Sequence, residues 1–189
     1  GDRSENLLEN YRLLGEAVGI DASRAVGCRQ IHSDLVRVAC EEDAGKILWN
    51  DRPYDADGLI TNVPNLPLFA YGSDCCVITL YDPTSRSIGA VHAGWRGTAA
   101  GIALKAAVSM MSCYGADPYT LRAAIGPSIG KCCFETDRDV ADAFFALLDP
   151  AMDERIEQRG DKFHIDLKEI NRLWLLRAGI DPARIDVHP

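Results

Sequence analysis

Three residues well separated in the chain, His32, Cys75 and His92, are of the types that hold a borderline-soft metal ion. His32 stands in Gln30-Ile31-His32-Ser33 and His92 in Val91-His92-Ala93-Gly94-Trp95-Arg96-Gly97, both where local sequence suggests that a strand is ending. Strand ends open onto loops, where functional side chains converge without disturbing a core. Cys75, in Gly72-Ser73-Asp74-Cys75-Cys76, begins the run that leads through a turn at Asp82 to Arg86 and back to His92. In a hairpin the start of one strand lies beside the end of the next, so Cys75 and His92 are expected to be neighbours. Two imidazoles and a thiolate would give zinc three ligands at about 2.0 to 2.3 Å and leave a fourth position for water or substrate, the arrangement of a catalytic rather than a structural site. Such an ion activates water and polarises oxygen, which suits hydrolytic, deaminating or bond-cleaving chemistry. Asp74 and Gln30 are candidates to orient the ligands, and Gln30 is also a candidate substrate contact.

The same residues admit other chemistry. A metal-free pair, in which the His92 imidazole activates a Cys75 thiolate, would make a cysteine hydrolase or amidase. Cysteine also serves as a small core hydrophobe, and the three ligands lack the close spacing of a Cys-x-x-Cys motif. Gly94-Trp95-Arg96-Gly97 directly precedes a helix, so backbone N–H groups there, with the forked guanidinium of Arg96, form a candidate anion or phosphate contact. That segment matches neither the P-loop nor the dinucleotide fingerprint. Gly126-Pro127-Ser128-Ile129-Gly130 reads as a structural turn, and His164 and His188 have no evident partners.

The elements that must position these groups follow from periodicity. Leu7, Leu8, Tyr11 and Leu14 stack on one face of a helix from about Ser4, read as its N-cap, to Val18, ended by Gly19. Short β-like runs follow at Ala25 to Ile31, Leu35 to Ala39, Gly58 to Thr61, Leu68 to Tyr71 and Cys76 to Tyr81, with Ser87 to Val91 as the hairpin partner of the last. Small and apolar residues from Thr98 to Met111, interrupted by Gly101, predict a tightly packed helix. Leu121 to Ile125 reads as a buried strand, and Asp139 to Leu148 and Leu167 to Ala178 as helices. Strands clustered between helices indicate an α+β fold, a single domain with mixed β-sheet packed by helices.

Composition bounds the function. At 189 residues, with 47% hydrophobic and 25% charged residues, the chain is expected to form one globular domain with a sizeable core. A net charge of −8 and the lack of a basic, aromatic-studded stretch argue against nucleic acid as a partner. No apolar run approaches the roughly 18 residues of a membrane span, and the first residues do not read as a signal peptide. Seven cysteines, an odd number with two adjacent pairs, read as reduced thiols, so a cytoplasmic location is expected.

Taken together, Gln30-Ile31-His32-Ser33, Asp57-Gly58-Leu59-Ile60-Thr61-Asn62, Asp74-Cys75, His92-Ala93-Gly94-Trp95-Arg96-Gly97 and Ile125-Gly126-Pro127-Ser128-Ile129-Gly130-Lys131-Cys132-Cys133-Phe134-Glu135 resemble, in order and spacing, a known family. It is the YfiH-like, laccase-domain purine nucleoside phosphorylases, formerly called multicopper polyphenol oxidases. The resemblance runs over nearly the whole chain, implies a YfiH-like α+β domain over 1–189, and places the family's zinc ligands on His32, Cys75 and His92. It implies phosphorolysis of adenosine, inosine, guanosine or methylthioadenosine, with adenosine deamination as an associated activity. A purine nucleoside and phosphate would then be the partners, with the arginine of the family's N-terminal loop as a phosphate contact beside Arg96, the candidate that the residues themselves offer. Family chains carry a further N-terminal stretch with a Thr-Arg-x-Gly-Gly-type loop and a C-terminal segment rich in Cys-Thr and Arg, and this chain is expected to lack both. Tyr71-Gly72-Ser73 also departs from the family's usual residues. The alternatives are a copper-dependent polyphenol oxidase, for which four histidines are few, the metal-free hydrolase, and a non-enzymatic binding module.

Overall fold

A computed structural model describes residues 3–48, 52–147 and 149–189. In chain order the elements are α1 (Ser4–Val18), β1 (Val26–Gly27), β2 (Val36–Val38), β3 (Gly58–Thr61), β4 (Leu68–Phe69), β5 (Cys76–Asp82), β6 (Ser87–Ala93), α2 (Trp95–Ala99), α3 (Ile102–Tyr114), β7 (Arg122–Ile125), β8 (Glu135–Thr136), α4 (Arg138–Phe145), α5 (Pro150–Asp153), β9 (Ile156–Arg159), β10 (Lys162–Ile165), α6 (Leu167–Arg177) and β11 (Ile185–Val187). Short 3-10 turns stand at Ala22–Arg24, Glu41–Asp43 and Pro182–Arg184. The fold is α+β with mixed sheet, as expected.

Six strands form the central sheet in the order β11-β7-β5-β6-β3-β2. The outer pairs β11–β7 and β3–β2 are parallel and the inner ones antiparallel. Along β5 the even-numbered residues Cys76, Ile78, Leu80 and Asp82 are buried while Thr79 and Tyr81 are exposed, the period of two that fixes which face meets the core. On that face Ile60, Ile78, Val91 and Ile125 pack with Ile102, Ala106 and Met110 of α3 and with Ile170 and Leu175 of α6. Leu59, pointing the other way, joins a smaller core with Val26, Cys28, Ala39, Ala56 and Leu66. Among the described residues no helix is long and apolar enough to cross a membrane.

Several boundaries differ from the sequence reading for local reasons. Arg3, not Ser4, occupies the N-cap position of α1, and Gly19 ends the helix at φ 78 as predicted. The expected run Ala25 to Ile31 forms a ladder only at Val26–Gly27, because beyond a lone bridge at Arg29 the N–H groups of Ile31, His32 and Ser33 turn onto a side chain, that of Asp57. β4 stops before Tyr71, whose N–H is taken by Gln30 Oε1 at 2.8 Å. The single helix expected at Thr98 to Met111 is two, since Gly101 adopts φ 76 and ends one register before the next begins. α4 closes at Phe145, and Leu148, its expected end, lies outside the described residues. The three-stranded sheet β8-β10-β9, α5 and β11 were not read from the sequence at all.

The β5–β6 hairpin that sets the ligand spacing is locked at its turn by Asp82, whose buried carboxylate accepts from Ser85 N at 2.8 Å, Ser85 Oγ at 2.7 Å and Thr120 Oγ1 at 2.5 Å. Burial pushes this carboxyl up, but the hydroxyls of Thr120 and Ser85 and the backbone N–H groups of the turn outweigh it, and the net displacement is downward. A carboxyl with a depressed folded value stabilises fully above its unfolded value and loses that contribution as pH falls through the folded one. Asp82→Asn is therefore expected to cost about 1 to 3 kcal/mol at neutral pH. In urea melts across pH the gap from the parent should narrow progressively below about pH 4, where the free carboxylate begins to protonate. A pH-independent gap would contradict this account.

Candidate metal centre

The three expected ligands converge. One donor atom from each of His32, Cys75 and His92 lies within 4.8 Å of the others, and this is the only such group among the described residues. Antiparallel pairing sets Cys76 against Ala93 and Val77 against His92, so Cys75, one residue before the ladder, comes up diagonally beside the imidazole. Adjacent residues in extended chain point to opposite faces. Cys76 accordingly turns into the main core at 0% exposure, its sulfur 3.2 Å from Ser128 Oγ. The His32 ring stands edge-on to that of His92, with centroids 4.9 Å apart and planes at 90°. Exposure grades across the cluster from buried His92 through half-buried Cys75 to exposed His32, so the side nearest His32 opens to solvent.

The organiser of the cluster is Asp57, which sequence reasoning did not assign to the site. Its side chain is fully buried and accepts from His92 Nδ1 at 2.8 Å, Ser33 N and Oγ at 2.6 Å each, His32 N at 3.0 Å and Ile31 N at 3.3 Å. Burial raises its carboxyl, but the hydrogen bonds from His92, Ser33 and His32 outweigh that and leave it below the ordinary range. With Nδ1 engaged by the carboxylate, His92 keeps Nε2 as its ligand atom, the carboxylate–imidazole pattern that fixes ring orientation in metal sites. The same contacts hold His32 in the left-handed backbone region, φ 58, uncommon for a residue with a side chain. The signal that could have located Asp57 was its place in the Asp57-Gly58-Leu59 motif, an acidic residue opening an otherwise apolar strand.

Gly94 and Gly97 supply the room. A Cβ on Gly94 would lie 3.0 Å from His32 Cδ2, 3.3 Å from Cys75 Sγ and 3.6 Å from His92 Cε1, and one on Gly97 would lie 2.8 Å from the Ser33 carbonyl oxygen. The His-Ala-Gly-Trp-Arg-Gly element thus lets α2 lie directly against the ligand loop. α2 is held from behind by α6, through Asn171 Nδ2 to Thr98 Oγ1 at 2.9 Å and Trp174 Nε1 to Thr98 O at 2.8 Å. The Arg96 side chain is exposed and makes no hydrogen bond among the described residues, with its guanidinium 4.1 Å over the Trp95 ring. Gln30 instead spends its amide on the backbone of Tyr71, donating to its carbonyl at 2.7 Å and accepting from its N–H at 2.8 Å, and so ties the His32 loop to the segment leading to Cys75. The Asp74 backbone carbonyl accepts from Ile129 N at 2.9 Å, which anchors the Gly126–Gly130 turn beside the site. His164, bonded through Nδ1 to Lys131 O, and His188, at the chain end, lie apart from the cluster.

A soft sulfur, two imidazoles and a buried carboxylate behind one of them fit a metal ion. Without one, burial raises the Cys75 thiol and the Asp74 and Asp57 carboxylates raise it further, so no neighbour sustains a free thiolate. A bound cation reverses that balance.

An α+β domain carrying a His/Cys/His cluster that could hold a metal ion is what the fold and donor set define. The chain belongs to the family described as multi-copper polyphenol oxidoreductase laccase, whose model matches residues 1–189, and its relatives include YfiH-named proteins. A crystal structure of a YfiH protein from Bacillus licheniformis superposes with a TM-score of 0.93 at 31% identity, covering 99% of this chain and 71% of that one. The mouse purine nucleoside phosphorylase LACC1 is 30% identical over 94% of this chain, which spans 38% of that protein's length. An adenosine deaminase, RL5, from an unknown prokaryotic organism is 36% identical over 98% of this chain and 71% of its own length.

Two outcomes test the geometry. Asp57→Asn should weaken metal affinity by about 10- to 100-fold, as loss of such an orienting partner does, measured by competition with a chromogenic chelator. Cys75→Ser should empty the site while Cys76→Ser leaves metal content intact and lowers the melting temperature instead. Equal metal loss in both cysteine variants would refute the facing of the two thiols.

Proposed function

We propose that this chain is the catalytic domain of a zinc-dependent purine nucleoside phosphorylase, acting as a single domain on adenosine, inosine, guanosine or methylthioadenosine with phosphate. The observation that carries this reading is the convergence of His32, Cys75 and His92 around the space left by Gly94, in a family whose curated members include purine nucleoside phosphorylases. His92, oriented by Asp57, Cys75 and His32 hold the ion. A bound zinc supplies Lewis-acid chemistry at a substrate oxygen. The exposed flank beside His32 admits the nucleoside, and Arg96, displayed on the Trp95 ring at the start of α2, contributes a charge-assisted contact to phosphate. Gln30 keeps one amide hydrogen beyond its Tyr71 contacts, so its main part is to hold the ligand loop in shape. The seven unpaired thiols suit the reducing cytoplasm.

Two imidazoles and a thiolate are also a copper donor set. A multicopper cluster, however, needs more imidazoles than this chain's four histidines, two of which lie away from the site. A second activity, adenosine deamination, is favoured by the relative RL5, whose name is adenosine deaminase.

Purified protein should carry about one zinc per chain, lost in His92→Ala, because two remaining ligands do not hold a catalytic zinc; copper in its place would overturn the metal assignment. Inosine or adenosine with phosphate should yield free base and ribose 1-phosphate, with arsenate able to replace phosphate. Base release at the same rate without either anion would refute phosphorolysis, and ammonia released from adenosine would report the deaminase activity. Arg96→Ala should weaken phosphate use by about tenfold to a hundredfold, the loss of a charge-assisted contact of roughly 1.5 to 3 kcal/mol, while zinc stays bound.

A further inference from the structure

The fold treats its two pairs of neighbouring cysteines in opposite ways. Cys75 and Cys76 enter a strand and diverge to opposite faces. Cys132 and Cys133 lie instead in a tight turn in which the Gly130 carbonyl accepts from both Cys133 N and Phe134 N at 3.0 Å. That backbone puts both side chains on the same outward side, where both are exposed and their sulfurs are 3.0 Å apart. Neither thiol has a part in the metal centre or the core.

We propose that Cys132 and Cys133 form a preorganised dithiol site for trivalent arsenicals. A disulfide is the first competitor, and backbone geometry disfavours it: neighbouring Cα atoms are about 3.8 Å apart across a trans peptide, whereas disulfides span about 4.4 to 6.8 Å. Sulfur separation then discriminates among soft ions. With bonds of about 2.3 Å to thiolate sulfur, linear coordination needs sulfurs roughly 4.6 Å apart, tetrahedral roughly 3.8 Å and near-right-angle bonding roughly 3.3 Å. The observed 3.0 Å lies nearest the last, the geometry of pyramidal trivalent arsenic, and disfavours linear copper(I) or mercury(II).

The turn is already built for this. His164 Nδ1 holds the Lys131 carbonyl at 3.1 Å, Ile129 N holds Asp74 O at 2.9 Å, and Phe134 packs against the main core, so binding has little chain to order. The hydrogen bond between the two thiols raises Cys133, which favours its protonated form. The exchange balances without an oxidant. An arsine oxide, R–As=O, gives up its oxygen as water formed with the two thiol protons, two As–S bonds replace two S–H bonds, and arsenic remains trivalent.

The test uses phenylarsine oxide on the full chain, read by intact mass and peptide mapping. The expected result is one adduct per chain that survives excess glutathione, is removed by dithiothreitol, and maps to the peptide containing Cys132 and Cys133. Cys132→Ser and Cys133→Ser should each lose the glutathione-resistant adduct, and Cys75→Ser should keep it. Three results would overturn the proposal: a resistant adduct persisting in either surface variant, one mapping to Cys75 and Cys76, or none forming in a parent protein whose seven thiols titrate as free. Since neither surface thiol touches the metal cluster, the outcome is independent of the phosphorolysis reading.

Discussion

The ionised side chain of Asp57, sealed from solvent, gathers donors from two stretches of chain that share no ladder with each other: the loop before β2 and the end of β6. A carboxylate that far from water is costly unless its lone pairs are filled, and here five donors fill them. Its main chain repeats the connection, donating from N to Leu35 O at 3.0 Å and accepting from His92 N at 2.7 Å. Loop conformation, ring orientation and strand pairing therefore stand or fall together. The carboxylate also places a negative charge behind the imidazole, on the side away from the ligand nitrogen, where it raises that nitrogen's basicity toward a cation.

Around this charge the rest of the molecule acts as a clamp of fixed dimensions. The hairpin sets how far Cys75 sits from His92, α2 closes the cluster from the third side, and α6 presses on α2 through Thr98. His92 belongs to β6, and Cys75 and Asp57 each stand one residue before a strand, so the site draws on the rigidity of the sheet while His32 comes from a loop. Precision of that kind is what a three-ligand centre with an open position requires.

Much of this was legible in residue types and spacing. The hairpin was plain because β-branched and apolar residues from Cys76 to Tyr81 run into Asp82-Pro83, and hairpin geometry alone then brought Cys75 to His92. His32 needed the resemblance as well as its chemistry, since no periodicity links residue 32 to residue 75. Asp57 was overlooked because its importance lies in burial and in backbone donors, neither of which a sequence displays. The β8-β10-β9 sheet escaped because its strands carry Glu157, Gln158, Arg159 and Lys162 and so show little apolar alternation. Gly160-Asp161 between β9 and β10 was a two-residue hairpin signal left unread. Tyr71 and Gln30 exchanging hydrogen bonds across 41 positions had no local signature.

The positive φ of His32 carries a consequence for how this position can change over time. A left-handed conformation costs a residue with a Cβ roughly 1 to 2 kcal/mol, a penalty that glycine escapes. Selection on folding alone would favour glycine there, and selection on ion binding favours imidazole, so the two pull the same codon in opposite directions. A lineage that abandoned the metal should drift at position 32 toward glycine or asparagine and become a sturdier, inert domain. Were position 32 purely structural, glycine or asparagine would suit its backbone better, and the proposed ligand role would account for a histidine held there.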